Sequence, residues 1–230
     1  MMQIRTAMLL AAGRGERMRP LTDSMPKPLA PVAGRPLIAY AVERLAAAGV
    51  ERVVINLAWR GDQIRRALGD SAYGTRLLYS DEGEHALETG GGIVKALPLL
   101  GAEPFWVVSA DVWNDFPFRE RSGALAAGDL AHLVMAPNPA FHPKGDFYLS
   151  HGRVSERFEA GAERLTYANI GLFRPELFAA RAVEKRALAP WLREAMAEQR
   201  VSGERFDGQW WNVGTLTQLQ SLDAFVRSKA

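Results

Sequence analysis

An α/β architecture, with a mostly parallel central sheet flanked by helices, is what this sequence predicts, and three observations carry the prediction. Near-continuous apolar runs at residues 4–12, 53–57 and 105–110 suit strands buried on both faces. Helical patterns separate those runs, giving a β-α-β-α-β alternation. Past residue 130 the alternation breaks into proline-punctuated segments and short strands, which predicts a small β-rich region that is inserted or appended and covers the open edge of a site. With 230 residues, 48% of them hydrophobic, the chain can bury one good-sized core, so one domain is expected.

Composition narrows the function classes. Lys and Arg number 28 against 26 Asp and Glu, a net charge of +2 that supports neither a nucleic-acid partner nor a membrane surface. Cysteine is absent, which excludes disulfides, thiolate metal sites and a cysteine nucleophile. The apolar run at 7–12 is too short for a signal-peptide core, and no stretch approaches the ~20 apolar residues of a membrane span. A cytoplasmic protein is expected.

Each element follows from its residues. The run at 4–12 is a central strand that leads into Gly13-Arg-Gly15 and the cations Arg17 and Arg19. Two glycines able to take positive φ, set among arginines, read either as a phosphate site or as a solvated basic turn. Neither G-x-G-x-x-G, which would need glycine at Met18, nor a P-loop is present. Pro26-Lys27-Pro28 stiffens its segment and biases Lys27 toward extended geometry. Pro36 opens a helix that Gly49 closes, residues 53–57 form the second strand, Ile64 and Leu68 mark a short helix ending at Gly69, and 76–80 form the third strand. Three glycines in Glu88-Thr-Gly-Gly-Gly-Ile precede a helix, as a nucleotide contact or as a flexible cap. The strand at 105–110 delivers Asp111 at its carboxyl end, the edge where open α/β sheets bind ligands; a metal ligand is favoured over a loop carboxylate.

Residues 119–127 read as a helix, 130–135 as a strand, 147–149 and 165–173 as strands, 175–182 and 186–199 as helices, 210–215 as strand and turn, and a terminal helix runs to about 228. Trp106, Trp113, Trp191, Trp210 and Trp211 read as core or interface aromatics, since no basic stripe accompanies them. His85, His132, His142 and His151 lack metal-binding spacing and read as surface or loop residues. No G-x-S-x-G elbow occurs, and Ser202-Gly203 reads as a polar connection. A glycine-arginine loop, a proline-gripped lysine and an acid at a strand end make one site for a polyphosphate with a divalent ion.

The set Leu10-Ala-Ala-Gly-x-Gly-x-Arg17-Met, Pro26-Lys27-Pro28, Asp111 at a strand end and a late Trp-x-x-x-Gly-Thr resembles the sugar-1-phosphate nucleotidyltransferases over about residues 4–225. Within them, the Glu88-Thr-Gly-Gly-Gly segment and the lack of a carboxy-terminal β-helix are most similar to the small N-acetylmuramate-1-phosphate uridylyltransferases of peptidoglycan recycling, with mannose-1-phosphate guanylyltransferase-like enzymes next. The resemblance implies a Rossmann-like sheet in one domain over 1–230, with a nucleotide-binding half at about 1–130, a sugar-binding half at about 131–215 and a terminal helix at about 216–228. It implies transfer of a nucleotidyl group, UTP favoured as donor, to a sugar 1-phosphate with loss of pyrophosphate. By the same resemblance, Arg17 and Lys27 are catalytic, and Ala11, Ala12, Gly13, Arg14, Gly15, Glu82, Thr89, Gly90 and Gly91 bind nucleotide. Gly145, Asp146, Asn169 and Gly171 line the sugar pocket, and Asp111 and Asn212 hold Mg²⁺. Glu82 stands where relatives often have a base-reading Gln, and Asn212 where many have a second metal-binding Asp; the latter keeps a non-catalytic sugar-nucleotide sensor as a competing reading. The family's Glu-Lys-Pro is missing, leaving Arg157 or Arg164 as replacements. Base, sugar and oligomeric state stay open.

Overall fold

The computed structural model describes residues 3–229. In chain order the first half comprises β1 (Thr6–Leu10), α1 (Leu21–Ser24), β2 (Pro31–Val32), β3 (Arg35–Pro36), α2 (Leu37–Ala47), β4 (Arg52–Leu57), α3 (Gly61–Leu68), β5 (Ser71–Ala72), β6 (Thr75–Asp81), α4 (Glu88–Leu100), β7 (Phe105–Ser109) and β8 (Val112–Asn114). The second half comprises β9 (Ala131–Ala136), β10 (Phe147–Ser150), β11 (Arg153–Ser155), β12 (Glu163–Phe173), α5 (Ala189–Ala197), β13 (Val201–Arg205), β14 (Trp210–Asn212) and α6 (Leu216–Arg227).

Ten of these strands form one sheet in the order β10-β11-β13-β9-β12-β7-β1-β4-β6-β5. The apolar runs fulfil their expectation: β7, β1, β4 and β6 are mutually parallel, with Met8 in register with Val54 on one side and Val107 on the other. Both faces of this block are buried, as Ala7, Met8 and Leu9 are fully inaccessible. The later β region extends the same sheet instead of being attached to it, because β12 runs antiparallel to β7 and carries the ladder onward. Strand β10 pairs with both β11 and β12, so this end curls back on itself. A bulge in β12 between Tyr167 and Gly171, where Asn169 takes φ 56°, bends the strand and re-aims its side chains.

Several expectations are corrected. Residues 119–127 form turns, since Phe116 and Phe118 pin the segment edge-on against Trp106 with ring centroids 5.8 and 5.2 Å away and Gly128 at φ 90° ends it. The helix at 175–182 shrinks to a 3-10 turn over Pro175–Leu177, and that at 186–199 to α5. Ser202-Gly203 belongs to β13, parallel to β9, and His132 is buried beside it with Nδ1 3.0 Å from Ser202 Oγ and Nε2 3.3 Å from Glu204. The polar residues of that strand satisfy one another inside the fold, which is why polarity misplaced them.

Candidate functional site

The loop after β1 is set by contacts at both ends. At its start the Ala11 N–H donates to Asn56 Oδ1 at 2.7 Å, and Asn56 Nδ2 in turn donates to Glu82 Oε1 at 2.6 Å. Further along, Gly15 takes φ 68°, and a Cβ there would meet Lys27 Cβ at 3.0 Å, so its bareness lets the lysine segment lie against the loop. Gly13, expected to share the positive φ, does not; a Cβ there would find open space. Met18 then buries into a cluster with Leu37, Val213, Leu219 and Leu222, tying the loop to α6 and the turn after β14. That anchoring sets Arg17 over Gly214, where a Cβ would stand 3.0 Å from the guanidinium. Thr215 caps α6 by accepting from the Gln218 N–H, and Gln218 Oε1 accepts from Gly214 N–H at 2.7 Å, which fixes the turn.

Three adjoining cavities lie along the carboxyl ends of the parallel strands. The innermost, of about 310 Å³, is walled by Ala11, Ala12, Gly13, Gly15, Thr89, Lys27 and Asp111 among others. Lys27 is 13% exposed and its ammonium is paired with Asp111 Oδ2. It sits at the start of a 3-10 turn, Lys27–Leu29, and not in the extended geometry expected before proline; the Leu29 N–H donates to Pro26 O at 2.9 Å and holds the turn. Glu88 and Ala12 also wall an outer cavity of about 1420 Å³, and Thr89 also walls a third of about 490 Å³.

The expected site residues thus divide. Arg14 turns to the outer cavity, its guanidinium stacked 4.5 Å over Trp59. Arg17, Asp146, Asn169 and Asn212 share the 490 Å³ cavity. Asp111 and Asn212 are brought near each other by the β14–β8 ladder, which pairs Asn212 with Val112 and lets Val213 N–H donate to Asp111 O at 2.9 Å. Arg19 pairs with Asp23 at 3.2 Å in solvent.

Five expected binding residues lie elsewhere. Glu82 is 8% exposed with both oxygens engaged, Oε1 accepting from Asn56 and Oε2 from Leu87 N–H at 2.6 Å, and it walls none of the three cavities. Burial pushes its carboxyl above the usual carboxylate range. Gly90 and Gly91 are inside the first turn of α4 because larger residues would not fit: a Cβ at Gly90 would meet Trp191 at 2.6 Å, and one at Gly91 would collide with the Glu184 carbonyl. The Gly91 N–H, expected to be open to a ligand, donates to Arg186 O at 3.0 Å. Gly145 serves a turn at φ 61° against Asn138, and Gly171 makes room for the Phe173 ring. Arg164 stacks 5.2 Å over Tyr148, and neither it nor Arg157 walls the cavities described.

Sequence reading missed Asn56, Trp59, Tyr167 and Arg193. Asn56 had a signal, a lone amide in the apolar run Val53-Val-Ile-Asn-Leu57. Tyr167, whose phenol is pushed up by burial, walls the 490 Å³ cavity with Arg193 of α5. Its N–H donates to Asp146 Oδ2 at 2.9 Å while His142 Nε2 lies 3.0 Å from Asp146 Oδ1, so this carboxylate is held from two sides.

The buried chain Ala11–Asn56–Glu82 makes a testable prediction. Asn56→Ala orphans the Ala11 N–H and one Glu82 oxygen, at about 1–3 kcal/mol each. Losing the Asn56 donor raises the already raised Glu82 pKa, and a raised folded pKa gives stability that is present at low pH and lost as pH rises through it. The deficit in melting temperature is therefore expected to be large at pH 7 and to shrink below pH ~5; a deficit independent of pH would remove Glu82 from the chain.

The profile of the nucleotidyl transferase family matches residues 6–136. The chain belongs to that family. It is 48% identical over 227 residues to the N-acetylmuramate alpha-1-phosphate uridylyltransferase of Neisseria meningitidis, covering 96% of this chain and 97% of the relative. A protein of the same name from Caulobacter vibrioides is 37% identical, covering 90% and 91%. In three dimensions, a putative glucose-1-phosphate thymidylyltransferase from Bacillus anthracis matches with a TM-score of 0.84 at 16% identity over 96% of this chain and 95% of that one, a likeness of fold. Among the described residues no helix is long and apolar enough to cross a membrane.

Proposed function

We propose that this nucleotidyltransferase moves the uridylyl group of UTP to N-acetylmuramate 1-phosphate in the cytoplasm, releasing pyrophosphate. The observation that carries the reading is the 310 Å³ cavity, where the loop 11–15, Lys27 and Asp111 converge; likeness along nearly the whole chain to proteins named uridylyltransferases supports the choice of base and sugar. In this reading the inner and outer cavities serve a nucleotide-binding half and the 490 Å³ cavity, with Arg17 in its wall, a sugar-binding half, and Thr89 walls both the inner and the 490 Å³ cavity.

In this reading an oxygen of the sugar phosphate forms a bond to the α-phosphorus as the bond to the pyrophosphate oxygen breaks. The nucleophile is already ionised, so no general base is needed, and positioning with fixed cations does the work. Lys27, held on a stiff turn, meets the charge of the triphosphate, and Arg17 meets that of the sugar phosphate. Ala11 and the loop behind it keep their shape because Asn56 and Glu82 anchor them.

Among the described residues no group of three or more His, Cys, Asp or Glu could hold a metal ion. One carboxylate beside one amide nevertheless fits Mg²⁺, which commonly takes one or two protein oxygens and fills its octahedron with substrate phosphates and water. Asp111 and Asn212 would hold it, and the charge it would supply there is what would neutralise the phosphates. Asn212→Asp is expected to lower the Mg²⁺ concentration at half-saturation by on the order of tenfold, because ligand charge sets affinity for a hard cation. Calorimetric Mg²⁺ titration with a non-hydrolysable nucleotide checks this; an unchanged midpoint places Asn212 outside the shell.

Pyrophosphate release over a grid of four nucleoside triphosphates against a panel of sugar 1-phosphates tests the whole reading. Preference for UTP with N-acetylmuramate 1-phosphate supports it. Turnover with GTP and mannose 1-phosphate instead, or tight binding with none, sinks it in favour of a guanylyltransferase or a sensor.

A further inference from the structure

We propose that Arg193 is the specificity-determining residue for the sugar, binding the lactyl carboxylate that separates N-acetylmuramate from N-acetylglucosamine; this rests on the function proposed above. The 490 Å³ cavity is lined largely by groups that suit hydroxyl and acetamido substituents, among them Thr166, Asn169 and Asn212. Arg17 and Arg193 carry the only Lys or Arg side chains among the described residues of its wall. They come from different parts of the fold. Arg17 follows β1 and rests over Gly214, in a cavity whose wall shares Thr89 with the inner cavity, whereas Arg193 projects from α5, which packs on β11 and β13. A neutral hexose 1-phosphate has one anionic group and needs one cation at the Arg17 end. A second guanidinium in the same cavity calls for a second anion on the sugar.

Arg193 is free to take that anion. Its partner in the protein is Glu156, 2.7 Å away, in a pair whose side chains are 47% and 57% exposed. Exposed pairs of this kind contribute little, so exchanging Glu156 for a ligand carboxylate costs little. The planar guanidinium can then take the carboxylate in two parallel hydrogen bonds, which a lysine could not reproduce. The remaining titratable groups of the wall are committed: Asp146 accepts from Tyr167 N–H and lies against His142. Position on a helix makes Arg193 a fixed reader, unlike the neighbouring loop that carries Phe141 and His142.

The test compares KM and kcat for N-acetylmuramate 1-phosphate and N-acetylglucosamine 1-phosphate at saturating UTP in wild type, Arg193→Ala, Arg193→Gln and Glu156→Gln. Wild type is expected to favour the lactyl sugar. Arg193→Ala and Arg193→Gln should raise its KM on the order of tenfold or more, with kcat and the KM for N-acetylglucosamine 1-phosphate within about twofold of wild type. Glu156→Gln should leave the preference intact or sharpen it. A wild type that prefers N-acetylmuramate 1-phosphate, with that preference unchanged in both folded Arg193 variants, overturns the assignment of Arg193 alone. A wild type without preference for the lactyl sugar overturns the substrate reading and this inference with it.

Discussion

Asp111→Asn is expected to lower turnover by at least about 10²-fold, measured as pyrophosphate release at saturating Mg²⁺. The carboxylate sits just past β7, where the sheet's parallel block ends, and it is the acid of the inner cavity that pairs with Lys27. With Mg²⁺ held as proposed above, the replacement would leave two neutral amides, at 111 and 212, facing a dication among phosphates, and the charge stabilisation lost would be several kcal/mol by analogy with other metal-assisted transfers. The fold should survive. Asn keeps an oxygen able to accept from the Lys27 ammonium, so the lysine is not stranded, and β7 itself is unchanged. Near wild-type turnover at saturating Mg²⁺ would withdraw Asp111 from metal binding.

The parallel block was legible because each of its strands is an unbroken apolar run, and such runs have one comfortable place in an α/β fold. The antiparallel end was not, since hydropathy does not encode which strand pairs with which. Strand β13 shows why: Ser202-Gly203 looks like a polar connection until His132 is seen to bridge Ser202 and Glu204. The glycines at 90–92 misled in the opposite sense. A triple glycine reads as flexible backbone, yet here each is bare so that Trp191, the 184–187 backbone and the Glu82–Asn56 pair can approach α4.

The candidate site divides along the same line. The placing of residues 11–15, Lys27 and Asp111 around one cavity was legible because they are tied to strand ends and a local loop, features a linear sequence displays. Asn56 and Trp59 make their contacts with neighbours far away in sequence, and only the fold brings them together. The setting of Glu82 was hidden for that reason. As an isolated acid near a nucleotide loop it looked like a base reader, but it is the far end of a buried relay that shapes Ala11.

Lys27→Met is the second large effect expected, a fall in kcat on the order of 10²-fold. Met preserves a stem against Gly15, where the lysine Cβ already stands close, so packing is kept while the charge is removed. One consequence separates its role from that of Asp111. The ammonium is paired with Asp111 Oδ2, so a metal ion that uses this oxygen must displace it. Without the lysine that competition vanishes, and Mg²⁺ should half-saturate the nucleotide complex at a lower concentration even as kcat falls. A residue that merely held the fold would act otherwise. It would lower the melting temperature and the yield of soluble protein together, leaving kcat per folded molecule unchanged, and that result would return Lys27 to a structural role. A rise in the Mg²⁺ requirement would mean that Lys27 orients Asp111 for the metal instead of contesting it.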